Sequence, residues 1–264
     1  MMKWMRHSLL FSRRGACAKS VARVLAVWAT VFAVACLAAH PAFAKKTKTT
    51  PEKAAPAASV SLAETKNAPR KILLVGDSFA VGLGLTLPQS LGQASPIALS
   101  NRGKVSSGLN SPHFYDWEQA LTEFLNTEKP DALVVMLGGN DAKNGRGTPQ
   151  WADDFTAKAK RFLDIAGAHG VKIYWVGLPP MREKSYSQRA WTANEAMRAA
   201  CGRAASCRFI DSWDLFADAS GRFCAKKSIS GKAVSLRGKD GVHFTTAGCR
   251  LLTDRIVMAM ATPR

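Results

Sequence analysis

The sequence predicts an α/β domain in which a parallel sheet of about five strands is wrapped by helices on both faces. Three observations carry this. Short, continuous apolar runs recur and stop at glycine or aspartate; longer stretches with helical spacing lie between them; the two kinds alternate from residue 69 onward. Continuous apolar runs bounded by turn residues suit strands buried on both faces.

The first expected strand is 71–75 (KILLV), stopped by Gly76. A weaker run at 96–99 (PIAL) is the second, and 131–137 (DALVVML), stopped by Gly138-Gly139, is the third. Residues 171–176 (VKIYWV) run into Gly177, and 208–210 (RFI) run into Asp211. Helical spacing over 114–126 puts Trp117, Leu121, Phe124 and Leu125 on one side. Over 151–169 it aligns Phe155, Phe162 and Ile165, with Gly170 as the stop. Residues 186–203 and 246–260 complete the helices. The span 69–264 is roughly 195 residues, an ordinary size for one domain. It shows no internal repeat and no sign of a second domain. Open sheets of this kind bind ligands at the carboxyl ends of their strands, so chemistry is to be sought just after each apolar run.

The chain before this domain reads as an address. Residues 1–23 carry Lys3, Arg6, Arg13, Arg14, Lys19 and Arg23 and no acid; 24–39 are apolar; Pro41-Ala42-Phe43-Ala44 follows. That is the layout of a secretory signal peptide over 1–44, cleaved after Ala44. The rival is an uncleaved anchor, which alone would bring membrane association, although a 16-residue run is short against the roughly 20 that span a bilayer. Cys36 stands in a faint lipoprotein-like context. Residues 45–68, rich in Ala, Lys, Thr and Pro, bury too little to offset ordering entropy and read as a flexible spacer.

Charge and cysteines agree with export to the periplasm or beyond. The formal net charge is +18; residues 1–44 hold six of the 37 basic residues and none of the 19 acidic ones, leaving an excess of 12 positive charges beyond them. Such an excess favours anionic partners, and export argues against nucleic acid among them. The plainer reading is a basic soluble surface with no dedicated partner. Four cysteines remain after residue 44: Cys201, Cys207, Cys224 and Cys249. An even number in an exported chain suggests disulfides, and Cys201–Cys207 with Cys224–Cys249 is the favoured pairing because the first closes a short loop. Four buried free thiols are the alternative. No Cys-x-x-Cys spacing points to a metal knuckle or redox pair.

Three polar clusters fall at the expected ligand edge: Gly76-Asp77-Ser78-Phe79, Gly138-Gly139-Asn140-Asp141 and Asp240-Gly241-Val242-His243. Together they offer a hydroxyl, a carboxamide, a carboxylate and an imidazole, the inventory of acyl transfer by a serine nucleophile. A serine hydroxyl needs a base to take its proton. His243 alone among the domain's histidines has a carboxylate three residues ahead, and Asp240 can hold its tautomer. The developing oxyanion needs donors, for which the Ser78 N–H, the Asn140 carboxamide and a glycine N–H are candidates. Taken singly, each cluster is also an ordinary helix cap or turn. Asp77 and Asp141 read as structural, His113 and His169 as surface histidines, Trp117 and Trp151 as core.

The clusters resemble the blocks of the SGNH (GDSL-like) hydrolase superfamily, in the family's order across 71–250. Gly76-Asp77-Ser78-Phe79 resembles the first block, with Phe79 where Leu is usual; Gly139-Asn140-Asp141 resembles the G-x-N-D block; Asp240-x-x-His243 resembles the last. The resemblance implies a flavodoxin-like three-layer α/β/α sandwich, Ser78 as nucleophile, His243 as base, Asp240 as its orienter and Asn140 as an oxyanion donor. The block that supplies the glycine is blurred: Gly108 is preferred, Gly103 is the alternative.

No G-x-S-x-G elbow, dinucleotide fingerprint, Walker A sequence or H-E-x-x-H is present, and the mechanism asks for no metal or cofactor. The expected activity is removal or transfer of an O-acyl group, acetyl first among them, on an envelope carbohydrate. A lipase or thioesterase acting on small acyl substrates is the alternative within the class. A non-catalytic glycan-binding protein is the alternative outside it. The segment 220–239, with Lys226, Lys227, Lys232, Arg237 and Lys239, offers a basic wall leading to His243, or simply a solvated loop.

Overall fold

Apolar runs bounded by glycine build the centre of the computed structural model, which describes residues 62–65, 68–92 and 94–263. The strands are β1 (Lys71–Gly76), β2 (Ala98–Gly103), β3 (Ala132–Met136), β4 (Lys172–Val176) and β5 (Cys207–Ile210). They form one parallel sheet in the order β2-β1-β3-β4-β5. All of β3 is buried and β1 nearly so, as expected of strands covered on both faces. β2 lies at an edge, which is why its sequence ALSNRG is mostly polar and its apolar run is short.

Helices α1 (Ser78–Gly84), α2 (Leu87–Leu91) and α8 (Thr246–Ala261) pack together, while α3 (Trp117–Glu128), α5 (Pro149–Ala168) and α6 (Lys184–Arg203) pack side by side. These two groups are the outer layers of the expected α/β/α sandwich. Short helices α4 (Gly139–Asn144) and α7 (Trp213–Phe216) follow β3 and β5. Side-chain caps set the helix starts: Asp116 accepts from the N–H groups of Glu118 and Gln119, Thr148 from Trp151, Glu183 from Ser185 and Tyr186. The helix expected from residue 114 therefore starts at Trp117, and Phe114 is left exposed.

Two features of the chain's course depart from the sequence reading. Residues 226–235, taken as part of a long loop, form an antiparallel hairpin of β6 (Lys226–Ile229) and β7 (Lys232–Ser235). Ser230 and Gly231, with φ of 50° and 78°, make its two-residue turn. Leu62, inside the stretch read as spacer, opens a 3₁₀ turn and is buried against the core, so packing begins before residue 69. The remaining spacer and the export segment of 1–44 lie outside the described residues, apart from 63–65 and 68.

The cysteines divide differently from the favoured pairing. Cys201 and Cys207 are bonded, joining the end of α6 to the start of β5. Cys224 and Cys249 are free, which corrects the second bridge. Cys249 is buried in the first turn of α8 facing Gly82 of α1, where a Cβ would meet its Sγ at 3.3 Å. Cys224 precedes β6 and its Sγ lies 2.8 Å from the Lys226 carbonyl oxygen. Among the described residues no helix is long and apolar enough to cross a membrane.

The sheet order places the switch between β1 and β3: the chain leaves β1 for β2 on one side, then returns to β3 on the other. Ligand crevices open at such a point. Gly76 ends β1 there with φ +144°, and a Cβ on it would sit 1.9 Å from the Met136 carbonyl oxygen of β3. Backbone cannot yield as a flexible side chain can. Gly76→Ala is therefore expected to cost about 3 kcal/mol or more, read as a lowered urea midpoint. A midpoint within error of wild type would contradict this account of the turn.

Candidate active site

The turn at Gly76 delivers Asp77 and Ser78 to the carboxyl edge of the sheet. Asp77 caps α1: its Oδ1 accepts from the Phe79 N–H at 3.0 Å. Its Oδ2 accepts from the Gly139 N–H at 2.9 Å, across the switch point. One carboxyl thus joins the loops that follow β1 and β3. Ser78 becomes the first residue of α1, where a backbone N–H has no intrahelical partner.

The third cluster arrives from the chain between β7 and α8. Gly238 N–H donates to the His243 carbonyl at 2.7 Å, closing a loop whose bend at Gly241 has φ +74°. Thr245 then caps α8 by accepting from Gly248 N–H. This loop sets His243 Nε2 2.9 Å from Ser78 Oγ. On the other side of the ring, His243 Nδ1 lies 2.6 Å from Asp240 Oδ2. The imidazole also packs on Phe79, with ring centroids 5.7 Å apart. Two segments distant in sequence thus form a continuous hydrogen-bonded chain through three side chains.

Asp240 is built to stay ionised. Burial alone would raise its pKa; N–H donors from Val242 and His243 and the bond to the His243 ring outweigh this and hold it at about 2. Its carboxylate and the imidazole are both about half exposed, 47% and 50%. The chain of hydrogen bonds therefore lies open to solvent.

The second cluster is fixed by a second buried acid. Asp141, in α4, accepts from the N–H groups of Leu109 (3.0 Å) and Asn110 (2.6 Å). Burial raises its pKa. A Cβ at Gly108 would approach Asp141 Oδ2 to 2.7 Å, so only glycine lets the loop lie this close. Asn140 Nδ2 donates to the Ser107 carbonyl at 2.9 Å. That carbonyl belongs to the same peptide as the Gly108 N–H, and a trans peptide points the two in opposite directions. Asn140 thereby orients the Gly108 N–H and keeps a second amide hydrogen of its own. Gly103 closes β2, and its N–H already donates to Asn101 Oδ1 at 3.0 Å.

Several roles were not legible beforehand. Arg237, read as part of a basic wall, is instead buried, 3% exposed, among the rings of Phe216, Phe223 and Phe244. It donates to the carbonyls of Pro180 and Val242 and so clamps the His243 loop to the segment after β4. Burial lowers its pKa to about 10. Tyr186 is buried too, and its hydroxyl donates to the Gly139 carbonyl at 2.9 Å. Nothing in the local sequence marks either residue as inward-facing. Trp117 is core, as expected, and His113 and His169 are exposed. Among the described residues no group of three His, Cys, Asp or Glu is placed to hold a metal ion.

The fold and the order of its three clusters resemble those of the SGNH (GDSL-like) class. The chain belongs to the family described as "Protein of unknown function (DUF459)", whose model matches residues 71–259. It is 29% identical over 119 residues to Esterase TesA from Pseudomonas aeruginosa, a match covering 43% of this chain and 57% of that protein's length. Among solved structures it shares its fold with a GDSL-like lipase from Bacteroides thetaiotaomicron, at TM-score 0.55 and 18% identity over 72% of this chain and 87% of that one. An acetylxylan esterase from Geobacillus stearothermophilus, crystallised as a catalytic mutant, superposes with TM-score 0.56 at 14% identity, covering 74% and 95%.

The buried acid that joins two loops makes stability depend on pH. Burial pushes Asp77 from 3.8 to about 7, against the pull of backbone N–H donors, with the Asp141 charge adding to the rise. The folded state therefore binds this proton more tightly than the unfolded chain does. Its contribution is full below 3.8 and declines as pH rises towards 7. Asp77→Asn cannot ionise, and its amide would face one of the two N–H donors. It is expected to be less stable than wild type but to lose less stability between pH 5 and pH 8. Urea unfolding at both pH values measures this, and parallel pH slopes for the two proteins would refute it.

Proposed function

We propose that this chain is a serine ester hydrolase that removes an O-acyl group from a cell-envelope carbohydrate outside the cytoplasm. The observation that carries the reading is the unbroken sequence of hydrogen bonds from Ser78 Oγ through His243 to Asp240, at 2.9 and 2.6 Å.

In this reading His243 Nε2 takes the Ser78 hydroxyl proton as Oγ attacks the ester carbonyl carbon. Asp240, ionised at any working pH, holds Nδ1–H and stabilises the imidazolium. The oxyanion meets the Ser78 N–H and the free amide hydrogen of Asn140; the Gly108 N–H, expected as a third donor, points away from the carboxamide that holds its peptide. Collapse of the tetrahedral adduct breaks the bond to the alcohol oxygen, which takes the proton from His243 and leaves. Water then gives a proton to His243 and adds to the acyl-Ser78 carbonyl. Release of the acid restores the serine.

Export rests on the composition of residues 1–44 and is supported by the Cys201–Cys207 bond, which suits an oxidising compartment. The carbohydrate substrate is supported by the fold shared with the Geobacillus acetylxylan esterase and by the basic excess of the chain. TesA, named an esterase, supports the bond type.

Two measurements test the reading. Wild type is expected to turn over p-nitrophenyl acetate and to be labelled by a fluorophosphonate, and Ser78→Ala to do neither. Labelling that survives in Ser78→Ala would remove this serine from the chemistry. Asn140→Ala is expected to lower kcat by about 10²–10³, the usual cost of one oxyanion donor. A change of less than about threefold would take the carboxamide out of the oxyanion site.

A further inference from the structure

A groove of about 840 Å³ runs between α6 and the chain after β5, bordered by Arg182, Lys184, Gln188, Trp191, Trp213 and Phe223. It continues past the two tryptophans into a second depression of about 490 Å³ that shares Trp191, Trp213, Asp218 and Gly221. The rings of Trp191 and Trp213 meet edge to face at 4.9 Å. Trp191 is 44% exposed, unusual for so large an apolar side chain. Trp213 is held in place, its Nε1–H donating to the Gly221 carbonyl at 2.8 Å. The pair is a preset aromatic surface within a concave, elongated site.

The groove abuts the Asp240 turn. Arg182 N–H donates to the Gly241 carbonyl at 3.2 Å and its Nη1 to the Lys239 carbonyl at 2.7 Å, flanking Asp240 on both sides. Its guanidinium also lies over the Phe223 ring at 5.3 Å.

The charges along the groove are unevenly matched. Each acid is already paired: Asp211 with Arg198 at 2.7 Å, Asp214 with Arg255 at 2.9 Å, Asp218 with Arg222 at 3.4 Å. Arg182 and Lys184 form no ion pair with the described residues. The walls therefore present neutralised carboxylates and uncompensated cations. An occupant needs an apolar face for the indoles and a negative charge for Arg182 and Lys184, and a length that follows the groove. The C–H face of a pyranose and the carboxylate of a uronic acid supply both.

We propose that this groove binds an anionic oligosaccharide, a chain containing uronate units, and leads it past Trp191 and Arg182 towards His243. As an assignment of substrate class this rests on the esterase reading above; as a binding site it does not. The test uses the full chain carrying Ser78→Ala, so that no ester can be consumed, titrated calorimetrically with hexagalacturonate and with neutral xylohexaose. Hexagalacturonate is expected to bind more tightly than xylohexaose and to weaken as salt is raised. Trp191→Ala in the same background is expected to weaken it about tenfold, as for an aromatic anchor, and Trp191→Phe to recover most of the loss. Equal affinity for the two sugars, no binding of hexagalacturonate, or no effect of Trp191→Ala would overturn the proposal. Binding without fluorophosphonate labelling of the wild-type chain would sink the esterase reading and leave the groove; labelling without binding would do the reverse.

Discussion

The Asp77 carboxyl, closed off from water between the ends of β1 and β3, is the constraint on which the site depends. Its two oxygens are committed to the N–H groups of Phe79 and Gly139, so it fixes where α1 begins and where the following loop passes. Ser78 has its position because its neighbour in sequence cannot move. A buried carboxyl costs solvation energy, and here the donors that compensate it are the backbone groups that must be held. The cost of burial and the positioning of the site are one interaction.

The same arrangement recurs around the edge of the sheet. Asp141 holds the loop that carries Gly108, Asn140 orients one of its peptides, and Arg237 clamps the His243 loop to the residues after β4. Each of these loops is pinned by a buried polar side chain in addition to the packing of residues such as Leu109 and Phe244. Tyr186 adds a further tie to the Gly139 carbonyl from α6. The half-exposed imidazole and Asp240 are thus the solvent-facing end of a frame whose anchors lie inside.

Legibility in the sequence followed the range of the forces involved. β1, β3 and β4 could be read because strands covered on both faces leave uninterrupted apolar text. β2 was seen only in part, since at an edge half its residues face solvent. Helices of four to six residues, α2, α4 and α7, are too short to show a period, and the strands of the β6–β7 hairpin have four residues each. Ser78, Asn140, Asp240 and His243 stood out because reactive side chains follow strands or turns in compact motifs. Arg237 did not, because its inward course is set by three phenylalanines that meet it only in the folded chain. Of the favoured cysteine pairs, Cys201–Cys207 was legible because spacing in sequence decides the closure of a short loop, but the separation of Cys224 from Cys249 is a matter of which elements they sit on.

The Cys201–Cys207 bridge lies away from the candidate site. Cys207 begins β5, and the reactive edge lies where the strands finish. The bridge and the Ser78–His243–Asp240 chain of hydrogen bonds therefore stand at opposite rims of the sheet, and the covalent tie secures the foot of an outer strand without touching the loops that carry those three side chains.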